Sequence, residues 1–499
     1  MAYFKHLTVI LALAASLAVT AQAAAQQATR ASTPTAQTIA PSIDEGLNAY
    51  NAGDYKLALG IFEPLVQKGD TVAQYHLGLM YAEGHGVPQN LAKALELYRL
   101  AADQGLLEAQ HNLGLAYYVG TGVPKDPVIA LDWFRKAADS GYASSHNNLG
   151  AAYASGSGVA RDDKVAASYY RKAAEQGLAE AQLNLGISYR LGQGVPQDDG
   201  FAVIWFRRAA DQGLAMAEIN LGTMYFQGGG VEQDLSAARA WYQKAADQGV
   251  DIGQHNVGAM YLAGQGGPKD MALAVKYLRL AADQGYARSQ LTLGTLYEAG
   301  NGVPVDFAAA LSLYQKAADQ GLPQAHHNLG FLYSSGRGVP RNDATAFKFF
   351  QRGAELGLVD SQMAVAACYF QGRGVNKDLK ASTSWLLKAA EQGNSDAQLL
   401  IGQRYFDGTG VPKNAPLGIS WLTKAADRGN VRAQLTLGIV MNLGEGIRPN
   451  PVQSYKWLSL SSAYGNEDAR RLRTMLVQSM TAAQIAEGQR LAREWKKKE

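Results

Sequence analysis

The sequence predicts an all-α fold, a solenoid of about eleven 36-residue helix pairs stacked end to end. Three observations predict it. A marker glycine falls at Gly78, Gly114, Gly150, Gly186, Gly222, Gly258, Gly294, Gly330, Gly402 and Gly438, with Ala366 filling the one gap, and the step never varies. Within a unit the apolar residues keep helical spacing, as Ala109, Leu113 and Tyr117 do four apart. Every unit is interrupted at the same places by glycines, from Gly84 and Gly86 to Gly444 and Gly446 in one loop, and by a closing glycine such as Gly141.

Residues 1–25 stand apart from the array. Lys5 and His6 precede the apolar stretch Leu7 to Thr20, and Ala21-Gln22-Ala23 forms a small-x-small cleavage pattern. This predicts a secretory signal peptide, cleaved near Ala23–Ala25. The apolar stretch is shorter than the roughly 20 residues of a spanning helix. Residues 26–41 are rich in Thr, Ala and Gln and read as a flexible linker. Residues 42–69, containing "GLNAYNAGDYKLALGIFEPLVQKG", predict a helix pair with a shorter loop.

The array proper spans 70–465. In each unit a first helix ends at the "GTGVP" loop, and an Asp or Asn then opens a second helix. Asn90, Asp126, Asp162, Asp198, Asp234, Asp270, Asp306, Asn342, Asp378, Asn414 and Asn450 hold that place and are expected N-caps, each worth about 1 kcal/mol. One acid per loop does not supply the roughly six to eight oxygens that calcium takes. The second helix buries Ala130, Trp133, Phe134 and Ala137 and their equivalents, so these aromatics are expected in the core. Residues 466–499 are expected to cap the array, with Thr481 and Gln484 forming a capping box.

The pattern A-x-x-N-L-G-x-x-Y-x-x-G-x-G-V-P-x-D-x-x-x-A-x-x-W-F-x-K-A-A-x-x-G resembles the Sel1-like repeat, a relative of the tetratricopeptide repeat, over nearly all of 42–465. The opening "AGDY" unit is similar to a true tetratricopeptide repeat. The resemblance implies a right-handed α/α superhelix whose curved surface binds other proteins. The family that the chain resembles includes a cysteine-rich exported subfamily linked to penicillin binding. This chain has one cysteine, Cys368, and so departs from that subfamily.

Positions that vary between units are free to specialise. One step past the core tyrosine stand Tyr118, Arg190, Phe226, Leu262, Phe370 and Phe406; two positions before the core leucine stand His111 and His327. By the resemblance these two sets point into a concave groove, with Phe226 beside Leu262 and Phe370 beside Phe406 as apolar patches for a peptide or helix. Packing against neighbouring helices is the alternative. Asn112, Asn148, Asn184 and Asn220 repeat in the same helix and either bind a peptide backbone or tie adjacent turns. Gly353 and Ala366 are single exceptions of their classes, and a contact between them is expected, with a methyl moved from one side to the other.

The chain of 499 residues carries a net charge of +3, and its basic run is Lys496 to Lys498, which disfavours nucleic acid. No Ser-x-x-Lys and no His-Glu-x-x-His occurs, so no catalytic residue, metal or cofactor is assigned. His76, His111 and His146 form a diagonal without ligand-spaced acids. The expectation is a non-enzymatic adaptor of the bacterial cell envelope, exported to the periplasm, binding envelope proteins. A carbohydrate- or peptidoglycan-binding protein is the second reading, and a penicillin-recognising hydrolase the third.

Overall fold

The computed structural model describes residues 42–444 and 446–498. The expected signal peptide and linker lie outside the described residues. Among the described residues there are 26 α-helices and no strand. Ile43–Asn51 and Tyr55–Gln67 form the opening pair. Each repeat then supplies two helices, as Leu107–Val119 and Pro127–Asp139 do, and Glu467–Val477 with Ala482–Glu494 follow the last repeat.

Local chemistry sets the helix ends. All eleven Asp or Asn residues named above cap a second helix through the side chain; Asp126 Oδ1, for example, accepts from Val128 N at 3.0 Å and Ile129 N at 3.1 Å. Most first helices follow a different rule. They start after an apolar residue such as Leu106 or Tyr142, with no side-chain cap. Thr481 and Gln484 make the expected capping box, and Ser42 with Glu45 makes a second one.

Two close approaches explain the glycine pattern. The marker glycine lies under the large residue of the second helix: a methyl on Gly114 would meet Phe134 Cε1 at 2.6 Å. That ring is fully buried, as are Phe206 and Tyr314 at the equivalent places. The second loop glycine rests on the preceding repeat. A methyl on Gly194 would come within 1.8 Å of the Asp163 carbonyl oxygen. Its φ of 73° also belongs to the left-handed region.

Gly353 and Ala366 do not exchange a methyl. The atoms nearest a methyl on Gly353 belong to Ser361, at 2.5 Å, and to the Pro323 carbonyl, at 3.2 Å. Ala366 instead shares a core with Leu386 and Ile401, and its carbonyl accepts from Ser382 Oγ at 2.6 Å. The two departures have separate local causes.

The described residues divide into two compact units. The first runs to Gly253 and includes Gly264–Pro268; the second holds Gln254–Ala263 and the chain from Lys269 onward. In the second unit the final helix closes the end of the array. Tyr455, Leu458, Leu476 and Met480 form a buried cluster with Ile485 against it, and Gly488 leaves room for Tyr455. Beyond that helix, Trp495 Nε1 donates to Asp427 Oδ1 at 3.3 Å and Lys498 Nζ pairs with Asp427 Oδ2 at 2.7 Å. Repeats held by nearest neighbours lose cooperativity from their ends. Removing 466–499 is therefore expected to separate the urea transitions followed by helicity and by tryptophan fluorescence. One sharp shared transition would contradict this.

Candidate functional site

Adjacent repeats are tied by a polar ladder that runs inside the array. Gln110 Nε2 donates to the Ala102 carbonyl at 3.1 Å, and Gln182, Gln290 and Gln434 repeat the bond eight residues back at 3.2, 3.2 and 3.1 Å. Glutamines at the end of the second helices reach the same row. Gln104 Nε2 donates to Gln74 Oε1 at 2.7 Å, Gln212 to Gln182 at 2.8 Å and Gln392 to Gln362 at 2.9 Å. Sequence reading missed this ladder, although its 36-residue recurrence was there to find. Glu218 replaces one glutamine; it accepts from Gln248 at 2.9 Å, and burial pushes its carboxyl up.

His111 is fully buried, and its expected place in a groove is corrected. Its Nδ1 lies 2.9 Å from Ser145 Oγ in the next repeat, and its ring sits 5.2 Å from Tyr142. His255 pairs with Ser289 at 2.9 Å and His327 with Ser361 at 3.2 Å in the same way. Where the first position is not histidine, the residue 34 further on is alanine or glycine, as in Leu183 with Ala217 and Ile219 with Gly253. Burial holds the His111 imidazole at about 3 and those of His76 and His255 at about 4, all neutral at pH 7. His327 is half-buried and shifted the same way.

Tyr118 and Asn220 are also buried, the first within 6.3 Å of the Phe134 ring, the second donating to the Met216 carbonyl at 2.7 Å. Asn148 is buried as well. These three are buried in the array rather than open to a groove. Asn112 donates to Tyr75 Oη at 3.1 Å and Asn184 to Asn147 Oδ1 at 3.0 Å, so both tie adjacent first helices.

The remaining candidates keep access to solvent. Arg190 reaches Gln227 Oε1 in the next repeat at 3.2 Å. Phe226 is half-buried. Leu262 leans on the core of Leu278 and Leu293, and Phe406 on that of Leu399, Leu422 and Trp457. Phe370 is different: 45% of it is exposed, with Arg404 on its ring at 5.4 Å and Lys377 at 5.9 Å.

The second-helix tryptophans are roofed by cations. Lys136 stands 3.8 Å from the Trp133 ring, Lys244 3.8 Å from Trp241 and Lys388 3.9 Å from Trp385. Such indoles present no open stacking face to a sugar. Among the described residues no cluster of His, Cys, Asp or Glu is arranged to hold a metal ion. The Cys368 thiol is half-buried and pushed up by burial, the reverse of what a reactive cysteine needs. No helix of the described residues is long and apolar enough to cross a membrane.

A family model of the Sel1 repeat matches eleven times, at residues 71–106, 107–142, 143–178, 179–214, 215–250, 252–286, 287–322, 323–358, 359–394, 395–430 and 431–466. The chain belongs to the Sel1 repeat family. Among solved structures it is similar to a protective antigen present in uropathogenic Escherichia coli strains that displays an SLR fold. Identity is 32%, coverage 88% of this chain and 94% of that one, and the TM-score 0.68. It is also similar to a Sel1 repeat protein from Oxalobacter formigenes, at 36% identity, 62% and 90% coverage and a TM-score of 0.51. No curated protein matches. Sel1-repeat solenoids are typically scaffolds for protein–protein interaction and are generally non-catalytic.

Proposed function

We propose that this Sel1-repeat protein is a non-enzymatic adaptor of the bacterial cell envelope, exported to the periplasm, which holds a protein partner on its first helices. One observation carries the reading. The repeated positions are committed to caps, cores and the glutamine ladder, while the varied position past the core tyrosine keeps solvent access at Arg190, Phe226, Leu262, Phe370 and Phe406, most of all at the exposed ring of Phe370. Export is supported by the amino-terminal Lys5–Ala25 pattern alone.

The test is capture on the immobilised mature chain. Envelope extract of the source organism is passed over wild type and over Phe226→Ser/Phe370→Ser, two sites whose side chains are not needed for a core. A protein retained by wild type and lost by the variant, at equal helicity, is the expected result. Retention of the same set by both, or of none, would refute the assignment of this surface.

A further inference from the structure

The first helix Ser395–Asp407 carries a charge where its counterparts carry a core residue. Arg404 stands at the position held by Met80, Ala116, Leu332 and Val440 in other repeats, and only 8% of it is exposed. Its Nη1 donates to Thr383 Oγ1 at 2.6 Å and its Nη2 to Ser382 Oγ at 2.9 Å. Both acceptors are neutral, and both are buried. Their own protons go to backbone carbonyls, Ser382 to Ala366 at 2.6 Å and Thr383 to Leu379 at 2.8 Å. Among the described residues no carboxylate forms an ion pair with Arg404; Asp407, nearby on the same helix, instead accepts from Thr409 N at 2.8 Å. A largely buried cation with neutral partners destabilises the fold relative to the apolar side chain used in most other repeats. Something other than stability retains it.

The surroundings point to what that is. A guanidinium has five N–H donors in a planar fork, and the two hydroxyls engage one on each terminal nitrogen. The Phe370 ring lies 5.4 Å from the guanidinium and is itself 45% exposed, so moving it aside gives up only part of its surface to water. Lys377 adds a second positive charge at the same ring. The asparagine row of the first helices also turns apolar here, to Ala364 and Leu400, and Leu400 is 36% exposed.

We propose that Arg404 is an anion site, covered by Phe370, that takes the carboxylate side chain of a partner segment whose neighbouring apolar side chains lie on Phe370 and Leu400. The carboxylate accepts from the free donors of the fork and supplies the missing countercharge. This rests on the protein-adaptor reading and assigns the chemistry of one contact.

The test is calorimetric titration of the full chain with two blocked tripeptides, acetyl-Leu-Glu-Leu-amide and acetyl-Leu-Gln-Leu-amide. The glutamate peptide is expected to bind and the glutamine peptide to bind at least about tenfold more weakly, the loss of a charge-assisted pair. Arg404→Met is expected to weaken the glutamate peptide by at least about tenfold while keeping or raising the urea midpoint. Equal binding of the two peptides, no binding of either, or full binding by Arg404→Met would overturn the site. So would a lowered midpoint in Arg404→Met, which would make the arginine a structural residue. A captured envelope protein held equally by wild type and Arg404→Met would leave the adaptor reading intact and remove this site alone.

Discussion

Gly194→Ala is expected to destabilise its repeat by about 3–5 kcal/mol, and Gly177→Ala by only about 1–2 kcal/mol. Both glycines have positive φ, 73° and 96°. An alanine at either pays the left-handed penalty. The difference lies in what the methyl meets. At Gly177 nothing stands within 4 Å, whereas at Gly194 the Asp163 carbonyl oxygen would be 1.8 Å away. That oxygen belongs to the first turn of the helix Asp163–Glu175, so relief means moving a capped helix end rather than turning a side chain. Amide hydrogen exchange in that helix reads the cost locally, since repeats open in pieces. Equal effects at the two sites would show that φ alone selects these glycines.

The same contrast shows how far a single sequence can be read here. Gly177 and Gly194 look alike as helix stops, and the stop is what periodicity reveals. The close approach at Gly194 depends on where the loop meets the previous repeat, which spacing along one chain does not encode. Caps were legible because the partner of Asp126 lies two or three residues away. The core was legible for the same reason: Trp133 and Phe134 lie on a stripe within one helix. The candidate surface was read less well. His111, Tyr118, Asn148 and Asn220 were placed by analogy with a related repeat, and all four are buried. A better signal was present. Serine replaces alanine at 145, 289 and 361, in each case 34 residues after a histidine, and nowhere else in that row. The change from apolar to polar on both sides of one contact marks a buried pair, and a buried pair is no groove. Arg404 with Ser382 and Thr383 is a related signal with a different outcome, since a charge enters together with two neutral hydroxyls and finds no countercharge in them.

The histidine–serine pairs predict a loss of stability in acid. His111 is neutral in the fold because burial holds it at about 3, against roughly 6.5 when unfolded. Its Nε2 is buried without a hydrogen-bond partner, so the cation would gain nothing there. The facing groups on packed elements are Ser145, Tyr142 and Phe134, none charged at neutral pH. Below pH 6.5 the unfolded chain binds a proton that the folded chain refuses. Stability is therefore complete above that value and falls as pH drops toward 3, by about 1.4 kcal/mol per pH unit for this one histidine. Between pH 7 and pH 5 the loss is about 2 kcal/mol, seen as faster amide exchange in Leu107–Val119 and Ala143–Ser155. His255, held at about 4 and facing Arg288, adds a like loss in its own repeats. A double-mutant cycle separates the pair from the charge. Ser145→Ala leaves the buried Nδ1 unpaired and is expected to cost about 1–3 kcal/mol at pH 7. His111→Leu/Ser145→Ala reproduces the Leu183–Ala217 arrangement found within this chain, so it should come within about 1 kcal/mol of wild type and lose His111's share of the acid response of these two helices, leaving that of His146. If the double variant opens as readily in acid as wild type does, the response belongs to other groups, and the pair serves packing alone.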